Sequence, residues 1–188
     1  AAVICVEDPL REEAADAVRE LKEAGITKVV MMTGDSERTA AAIAKRVGVD
    51  EYYSEVLPED KASFVEREKE LGHKVIMIGD GINDSLALSS ASVGIAISDG
   101  AAIAREIADV TISADNLHEI VTLKRLSTAL MKRIHNNYRT IIGINGGLIA
   151  LGVTGIIMPT TSALLHNMST LTISLRSMRN LLPKEEEA

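Results

Sequence analysis

The 188-residue chain has one cysteine, no tryptophan and only four aromatic residues, Tyr52, Tyr53, Phe64 and Tyr138. A single thiol excludes an intramolecular disulfide framework and suits a reducing compartment. Cys5 lies inside an apolar run, so it reads as a small buried hydrophobe rather than a reactive thiol. With so few rings, the core must be assembled from Ala, Val, Ile, Leu and Met. A basic excess is missing from the front half, which argues against nucleic acid as a partner. No basic start leads into a short apolar run, so no signal peptide is expected. The chain opens without Met in what reads as a strand, which predicts a piece of something longer.

What is present is divided. Residues 1–120 carry 24 acidic and 12 basic side chains, a net of -12, whereas residues 121–188 carry 3 and 8, a net of +5. A uniform globular domain does not look like this.

From Ile141 to Leu175 there are 35 consecutive residues without Asp, Glu, Lys or Arg. A spanning helix needs about 20 apolar residues to cross ~30 Å of hydrocarbon, so this stretch suits two tight spans. Pro159, with Met158, Thr160 and Thr161, supplies the break, predicting helices over Tyr138–Met158 and Thr161–Leu181. Lys124, Arg125, Lys132, Arg133 and Arg139 precede the first, and Arg176, Arg179 and Lys184 close the second. The positive-inside rule then places both ends in the cytoplasm and the turn outside. A buried hairpin of a soluble protein is the bland alternative, but such helices usually show one polar face. Gly143, Gly147, Gly152 and Gly155 permit close helix approach. His166 and Asn167 are costly in lipid and should face a bundle whose other helices lie outside this chain. For Ser and Thr here, interhelical hydrogen bonding competes with a transport role.

In the front half, apolar runs alternate with amphipathic helical patterns. Strands are predicted at Ala2–Glu7, Lys28–Thr33, Lys74–Ile78, Val93–Ile97 and Val110–Ser113, with a short extended piece at Tyr52–Glu55. Helices are predicted from the Asp8 cap to Gly25, over Ser36–Val47, from Pro58 to Leu71, and near Ser85–Ser90 and Ala101–Ala108. This alternation predicts a parallel sheet wrapped by helices, with ligands at the carboxyl ends of its strands.

Those ends carry Thr33-Gly34-Asp35 and Gly79-Asp80-Gly81-Ile82-Asn83-Asp84. Asp80 and Asp84, four residues apart around glycine, can converge on a hard cation such as Mg²⁺. Thr33 offers a hydroxyl to phosphate oxygens, and Lys61, opening the Pro58-Glu59-Asp60-Lys61 helix, offers a positive charge. Hydroxyl, lysine and a carboxylate–magnesium site together make an electrostatic clamp for a phosphoryl group.

The stretches DPLREEA (8–14), MMTGD (31–35), PEDK (58–61) and GDGINDSLAL (79–88) resemble P-type cation-transporting ATPases, within the haloacid dehalogenase superfamily. The terminal helix pair followed by Arg179-Asn180-Leu181-Leu182 is similar to the end of the heavy-metal subclass. The resemblance implies an α/β, Rossmann-like partial phosphorylation domain at residues 1–115 and a stalk helix at 116–137. The last two transmembrane helices would then occupy 138–182, and an acidic tail 183–188. It implies that Thr33 and Lys61 contact the phosphoryl group, that Gly34 and Asp35 shape that loop, and that Asp80, Gly81, Asn83 and Asp84 build the Mg²⁺ site. Asn145, His166, Asn167, Ser169 and Thr170 are the implied candidates on the ion path. Implied partners are a heavy-metal cation, membrane lipid and the remaining pump domains, with ATP bound by a nucleotide-binding domain outside this chain. The implied location is a plasma or bacterial inner membrane with the phosphorylation domain cytoplasmic.

The departures matter. The family's nucleophile is the first Asp of a DKTGT motif, which does not occur here, and Asp8 reads as a helix cap rather than a substitute. The chain alone is therefore expected neither to form a phosphoenzyme nor to pump. The last span lacks the Met and Ser-Ser pattern of copper pumps and the Asp of zinc pumps, which leaves the metal open. Two alternatives to a pump fragment are a complete phosphatase-like enzyme anchored by a hairpin, and a non-catalytic membrane-anchored module that binds or regulates a pump. The missing strand-end Asp opposes the first.

Overall fold

The computed structural model describes residues 10–79, 82–97, 102–112 and 116–181. The chain divides into two compact units, Ala1–Val121 and Thr122–Ala188. The expected strand Ala2–Glu7, the Asp8 cap, Asp80, Gly81 and the tail lie outside the described residues.

In the first unit, α1 (Ala14–Glu23), β1 (Val30–Met32), α2 (Glu37–Val47), β2 (Glu51–Tyr53) and α3 (Pro58–Glu70) alternate as the sequence pattern predicts. They are followed by β3 (Ile76–Gly79), a 3₁₀ turn (Ile82–Asp84), α4 (Ser85–Ser90), β4 (Val93–Ile97), α5 (Ala102–Ile107) and β5 (Val110–Ile112). Local chemistry sets the boundaries. Gly48 ends α2 at a φ of 79°, a left-handed backbone that costs a glycine nothing in sterics. Pro58 opens α3 in its first turn, where its missing N–H leaves no orphan donor.

Every strand pair is parallel, but the strands form two sheets rather than the single one expected. β1 pairs with β2, and β3, β4 and β5 pair in that order. The registers place Val30 beside Glu51, Ile76 beside Val93 and Ile95 beside Val110. No described strand lies between β1 and β3, so alternation in this stretch of chain cannot close the sheet.

The core is small and aliphatic. Ile95 and Ala96 of β4 are buried, as are Ala87 and Leu88 of α4 and Ala62 and Val65 of α3. Ala62, Val65 and Ala87 form one cluster onto which Val75, Met77 and Ala91 pack. Burying each larger side chain contributes about 1.5–3 kcal/mol.

In the second unit, the stalk expected at Leu117–Asn137 and the span expected from Tyr138 are one uninterrupted helix, α6 (His118–Val153). No proline or glycine sits at Asn137–Tyr138 to break it. A turn over residues 154–158 follows, with Gly155 at a φ of 73°. Pro159 then opens α7 (Pro159–Ser177) instead of sitting in the break. The two helices are antiparallel neighbours. The Arg133 guanidinium donates to the backbone carbonyls of Ser177 (3.0 Å), Asn180 (3.0 Å) and Arg179 near the end of α7. Asn137 Nδ2 donates to Ser177 Oγ at 2.7 Å. Among the described residues no helix is long and apolar enough to cross a membrane. Beyond Arg139 only residues 140–153 of α6 remain, and α7 carries Ser, Thr, His166 and Asn167 among its leucines.

Candidate phosphoryl site and helix-pair groove

Thr33 follows the last residue of β1, and its loop is pinned to the segment after β2. Thr33 N donates to Tyr53 O at 3.0 Å, Val56 N to Thr33 O at 3.0 Å, and Glu55 N to Asp35 O at 2.9 Å. Glu55 adopts a φ of 54° to make this turn, an uncommon backbone for a residue with a Cβ. Within the loop, Thr33 Oγ1 donates to Asp35 Oδ2 at 2.8 Å and accepts from Asp35 N at 3.1 Å. Asp35 thus shapes the loop, with its carboxylate engaged by Thr33.

Across from this loop, α3 and the 3₁₀ turn bring together Lys61 and Asp84. Lys61 Nζ donates to Asp84 Oδ1 at 2.8 Å, and the two side chains are 15% and 12% exposed. Asp84 is the one buried charged residue among those described. A buried carboxylate needs such a partner, because desolvating an unpaired charge costs several kcal/mol. Gly79 makes the placement possible: a Cβ there would lie 2.6 Å from Asp84 Cβ and 2.8 Å from its Oδ2. The glycine at the end of β3 is the space that the Asp84 side chain crosses.

Thr33, Gly34, Lys61, Gly79 and Asp84 all line one cavity of about 570 Å³. The structure therefore gathers a hydroxyl, an ammonium and a carboxylate at the carboxyl ends of β1 and β3. Asp35 does not line the cavity, Asn83 is exposed, and Asp80 and Gly81 lie outside the described residues.

In the second unit, His166 Nδ1 donates to Asn145 Oδ1 at 2.9 Å, joining α6 and α7. With Nδ1 engaged by the amide oxygen, Nε2 is the ring nitrogen left open to a ligand. Asn145, His166 and Asn167 line an open groove of about 640 Å³ together with Ser162. Ser169 and Thr170 do not line it. Their hydroxyls donate to His166 O at 2.8 and 3.1 Å, capping a carbonyl of their own helix. Among the described residues there is no group of three or more His, Cys, Asp or Glu placed to hold a metal.

Sequence reasoning missed one feature. The Arg133 clamp on the end of α7 carried no local signal, because its partners lie 44 or more residues away. Ser162 lines the groove with His166, one turn along the helix, as the i, i+4 spacing of the two residues leads one to expect.

Residues 1–92 match the family model described as a hydrolase, haloacid dehalogenase-like hydrolase. The resemblance to heavy-metal P-type ATPases holds as well. The chain is 36% identical over 178 residues to a zinc-exporting P-type ATPase of Mycobacterium marinum, a match covering 94% of this chain and 24% of that protein. It is 37% identical over 178 residues to a manganese-exporting P-type ATPase of Mycobacterium bovis, covering 94% of this chain and 25% of that protein. A crystal structure of a zinc-transporting PIB-type ATPase in its E2.Pi state matches with a TM-score of 0.86 at 33% identity, covering 94% of this chain and 29% of that one. The chain thus spans about a quarter of the length of the curated relatives it matches.

Proposed function

We propose that this chain is the C-terminal part of an ATP-driven heavy-metal cation pump. It supplies the phosphate- and magnesium-handling loops of the phosphorylation domain and the last two membrane helices. The observation that carries the reading is the meeting of Thr33, Lys61 and Asp84 on one cavity. The relatives' export of zinc and manganese supports a transition-metal cargo.

In this reading the nucleophilic Asp and the nucleotide-binding domain come from parts of the pump outside this chain. The phosphoryl group sits at the carboxyl ends of β1 and β3, where the Lys61 ammonium balances negative charge and the Thr33 hydroxyl, which donates to Asp35 Oδ2 in the free chain, turns to donate to a phosphate oxygen. The donor set suits a hard cation: Asp84 and the motif's Asp80 would each bring a carboxylate oxygen, with water and phosphate oxygens as the remaining ligands. Mg²⁺ held there would neutralise charge on the transferred group. Lys61 also holds Asp84 in place beside the cavity, since the pair shares one short contact.

We assign residues 1–115 to the phosphorylation domain, 116–137 to a stalk and 138–182 to the membrane pair. The polar residues of that pair face other helices of the pump rather than lipid, and the basic residues at both ends lie on the cytoplasmic side. His166, Asn145 and Asn167 stand on the ion path, with the free Nε2 of His166 as the donor to metal. Ser169 and Thr170 flank them. The test is ATP hydrolysis by the pump containing this chain, screened over soft monovalent and divalent metals. Stimulation by at least one metal, lost on chelation, supports the proposal; hydrolysis indifferent to every metal overturns it.

A further inference from the structure

The three aromatic residues of the first unit, Tyr52, Tyr53 and Phe64, gather behind the Thr33 loop. Tyr52 and Tyr53 are consecutive on β2, so their side chains leave on opposite faces. The Tyr53 ring meets Phe64 of α3 with 5.2 Å between centroids. Tyr52 turns the other way, and its hydroxyl donates to Glu37 Oε1 at 2.8 Å. Ser54, two residues on, donates from Oγ to Glu37 Oε2 at 2.5 Å. One carboxylate, at the first position of α2, thus takes both hydroxyls.

The backbone beside those two hydroxyls is what pins the loop. Tyr53 O accepts from Thr33 N, Glu55 N donates to Asp35 O, and Val56 N donates to Thr33 O. Glu37 itself follows Asp35 by two residues. Loop, helix start, carboxylate and the 52–56 segment therefore close into a ring. Thr33 and Gly34 of that ring line the 570 Å³ cavity, whereas Glu37, Tyr52 and Ser54 do not.

The ring encloses a strained point. Glu55 holds a φ of 54°, a backbone that a residue with a Cβ keeps only where its surroundings over-determine it. Ser54 on one side is fastened to Glu37, and Val56 on the other is fastened to Thr33. The charges suit this fastening. Ser54 and then Tyr52 hold the Glu37 carboxyl below its ordinary value of 4.5, and Glu37 raises the Tyr52 phenol above 10. At neutral pH the acceptor is charged and both donors keep their protons, which strengthens the bonds. Thr33 needs such a support from outside the cavity. When its hydroxyl leaves Asp35 for a phosphate oxygen, the loop loses an internal bond, and the backbone contacts to residues 53–56 must hold it alone.

We infer that Glu37 is a positioning residue for phosphoryl binding: by gripping Tyr52 and Ser54 it fixes the segment that holds the Thr33 loop at the mouth of the cavity. The inference rests on the reading of that loop as a phosphoryl-handling one, and its two readouts let the brace and that reading fail separately.

The test compares Glu37→Ala, Glu37→Gln and the double variant Tyr52→Phe with Ser54→Ala. In the pump containing this chain, phosphorylation by inorganic phosphate is titrated in the presence of Mg²⁺. The phosphate concentration giving half-maximal labelling should rise by about tenfold in Glu37→Ala and in the double variant, with the maximal label unchanged. Glu37→Gln keeps an acceptor oxygen at the same reach and should recover part of the loss. Adding Glu37→Ala to the double variant should cost nothing more, because the carboxylate then has no hydroxyl to grip. In the 188-residue chain, the amides of Glu55 and Val56 should exchange about tenfold faster in Glu37→Ala, while those of Val93–Ile97 keep their rates. An unchanged half-saturation overturns the inference, and so does a fall in maximal label alone, which loss of folded protein would produce. Unchanged exchange at Glu55 and Val56 overturns it as well. A parent pump that takes up no phosphate, in which exchange still responds, would mean that the phosphoryl reading is wrong and that Glu37 is a structural brace only.

Discussion

Lys61 and Asp84 are 23 residues apart in sequence and 2.8 Å apart in space, and neither side chain is more than 15% exposed. The pair bridges the first turn of α3 and the turn after β3, so the two motif loops cannot move independently. Removing one partner strands the other charge in a poorly solvated place. Asp84→Leu and Lys61→Met should each destabilise the first unit by about 3 kcal/mol in urea unfolding. The double variant should recover most of that loss, because no charge is left to desolvate. Singles with unchanged midpoints would show that the pair does not hold the loops together.

Gly79→Ala tests the crossing of Asp84 over the end of β3. The added Cβ would lie 2.6 Å from Asp84 Cβ, so the carboxylate must shift or the strand must yield. The expected cost is about 1–3 kcal/mol. Ala at Gly34, whose Cβ would meet only Val56 O at 4.0 Å, is the matched control and should cost far less.

Asp50 predicts an acid sensitivity. Lys22 Nζ lies 2.7 Å from its Oδ1, and Val29 N donates to Oδ2 at 2.7 Å, linking α1, β1 and β2. The Lys22 contact, followed by the Val29 hydrogen bond, holds the carboxyl below its ordinary value of 3.8. The unfolded chain therefore binds this proton more readily than the folded one. The stabilisation is complete above the unfolded value, near pH 4, and is lost as the pH falls through the lower folded value. Asp50→Asn should flatten that part of the stability–pH curve, as read by urea unfolding from pH 6 downwards. An unchanged slope would remove Asp50 from the account.

Arg133→Ala should fray the end of α7. The guanidinium satisfies carbonyls that the helix itself leaves without donors. Faster hydrogen exchange confined to the residues around Ser177 is expected, with a loss of about 1.5–3 kcal/mol in the second unit. Lys at the same position restores charge but not the fork, and should rescue only in part.

Much of the first unit is legible in the chain because single residues mark its boundaries. Gly48 and Pro58 stop and start helices at the expected places, and the uninterrupted apolar run Val93–Ile97 is the one strand predicted to the residue. The split of the sheet was not legible. Alternation reports which strands exist and says nothing of which of them pair, and β1 is shorter than expected. Of the site, motif spacing foresaw that Thr33, Lys61 and Asp84 could act at one point. It could not foresee that Asp35 would turn its carboxylate to Thr33. In the second unit, the family resemblance grouped Ser169 and Thr170 with His166. Their hydroxyls instead bond back to their own helix, a competition that residue type alone does not decide. Charge counting treated Arg133 as one of several cytoplasmic cations, whereas its guanidinium makes three hydrogen bonds to backbone carbonyls.

His166→Ala separates cargo binding from phosphoryl chemistry. In the complete pump it should lower metal-stimulated ATP hydrolysis by about tenfold or more, as loss of a ligand or its orienting partner does. Phosphorylation by inorganic phosphate, which needs the pump's nucleophilic Asp and the first unit's loops but not the helix-pair groove, should change little. Asn145→Ala should weaken metal activation in the same direction, because it frees the ring that Nδ1 anchors. Full metal activation in both variants would return the pair to interhelical hydrogen bonding alone.

The most direct measurement is phosphoenzyme formation from ATP by the pump containing this chain, compared with its Asp84→Asn variant, with and without Mg²⁺. The account predicts a Mg²⁺-dependent, acid-stable phosphoryl adduct that falls by about 100-fold or more in the variant, while circular dichroism shows the domain still folded. An adduct that forms equally well in Asp84→Asn would contradict it.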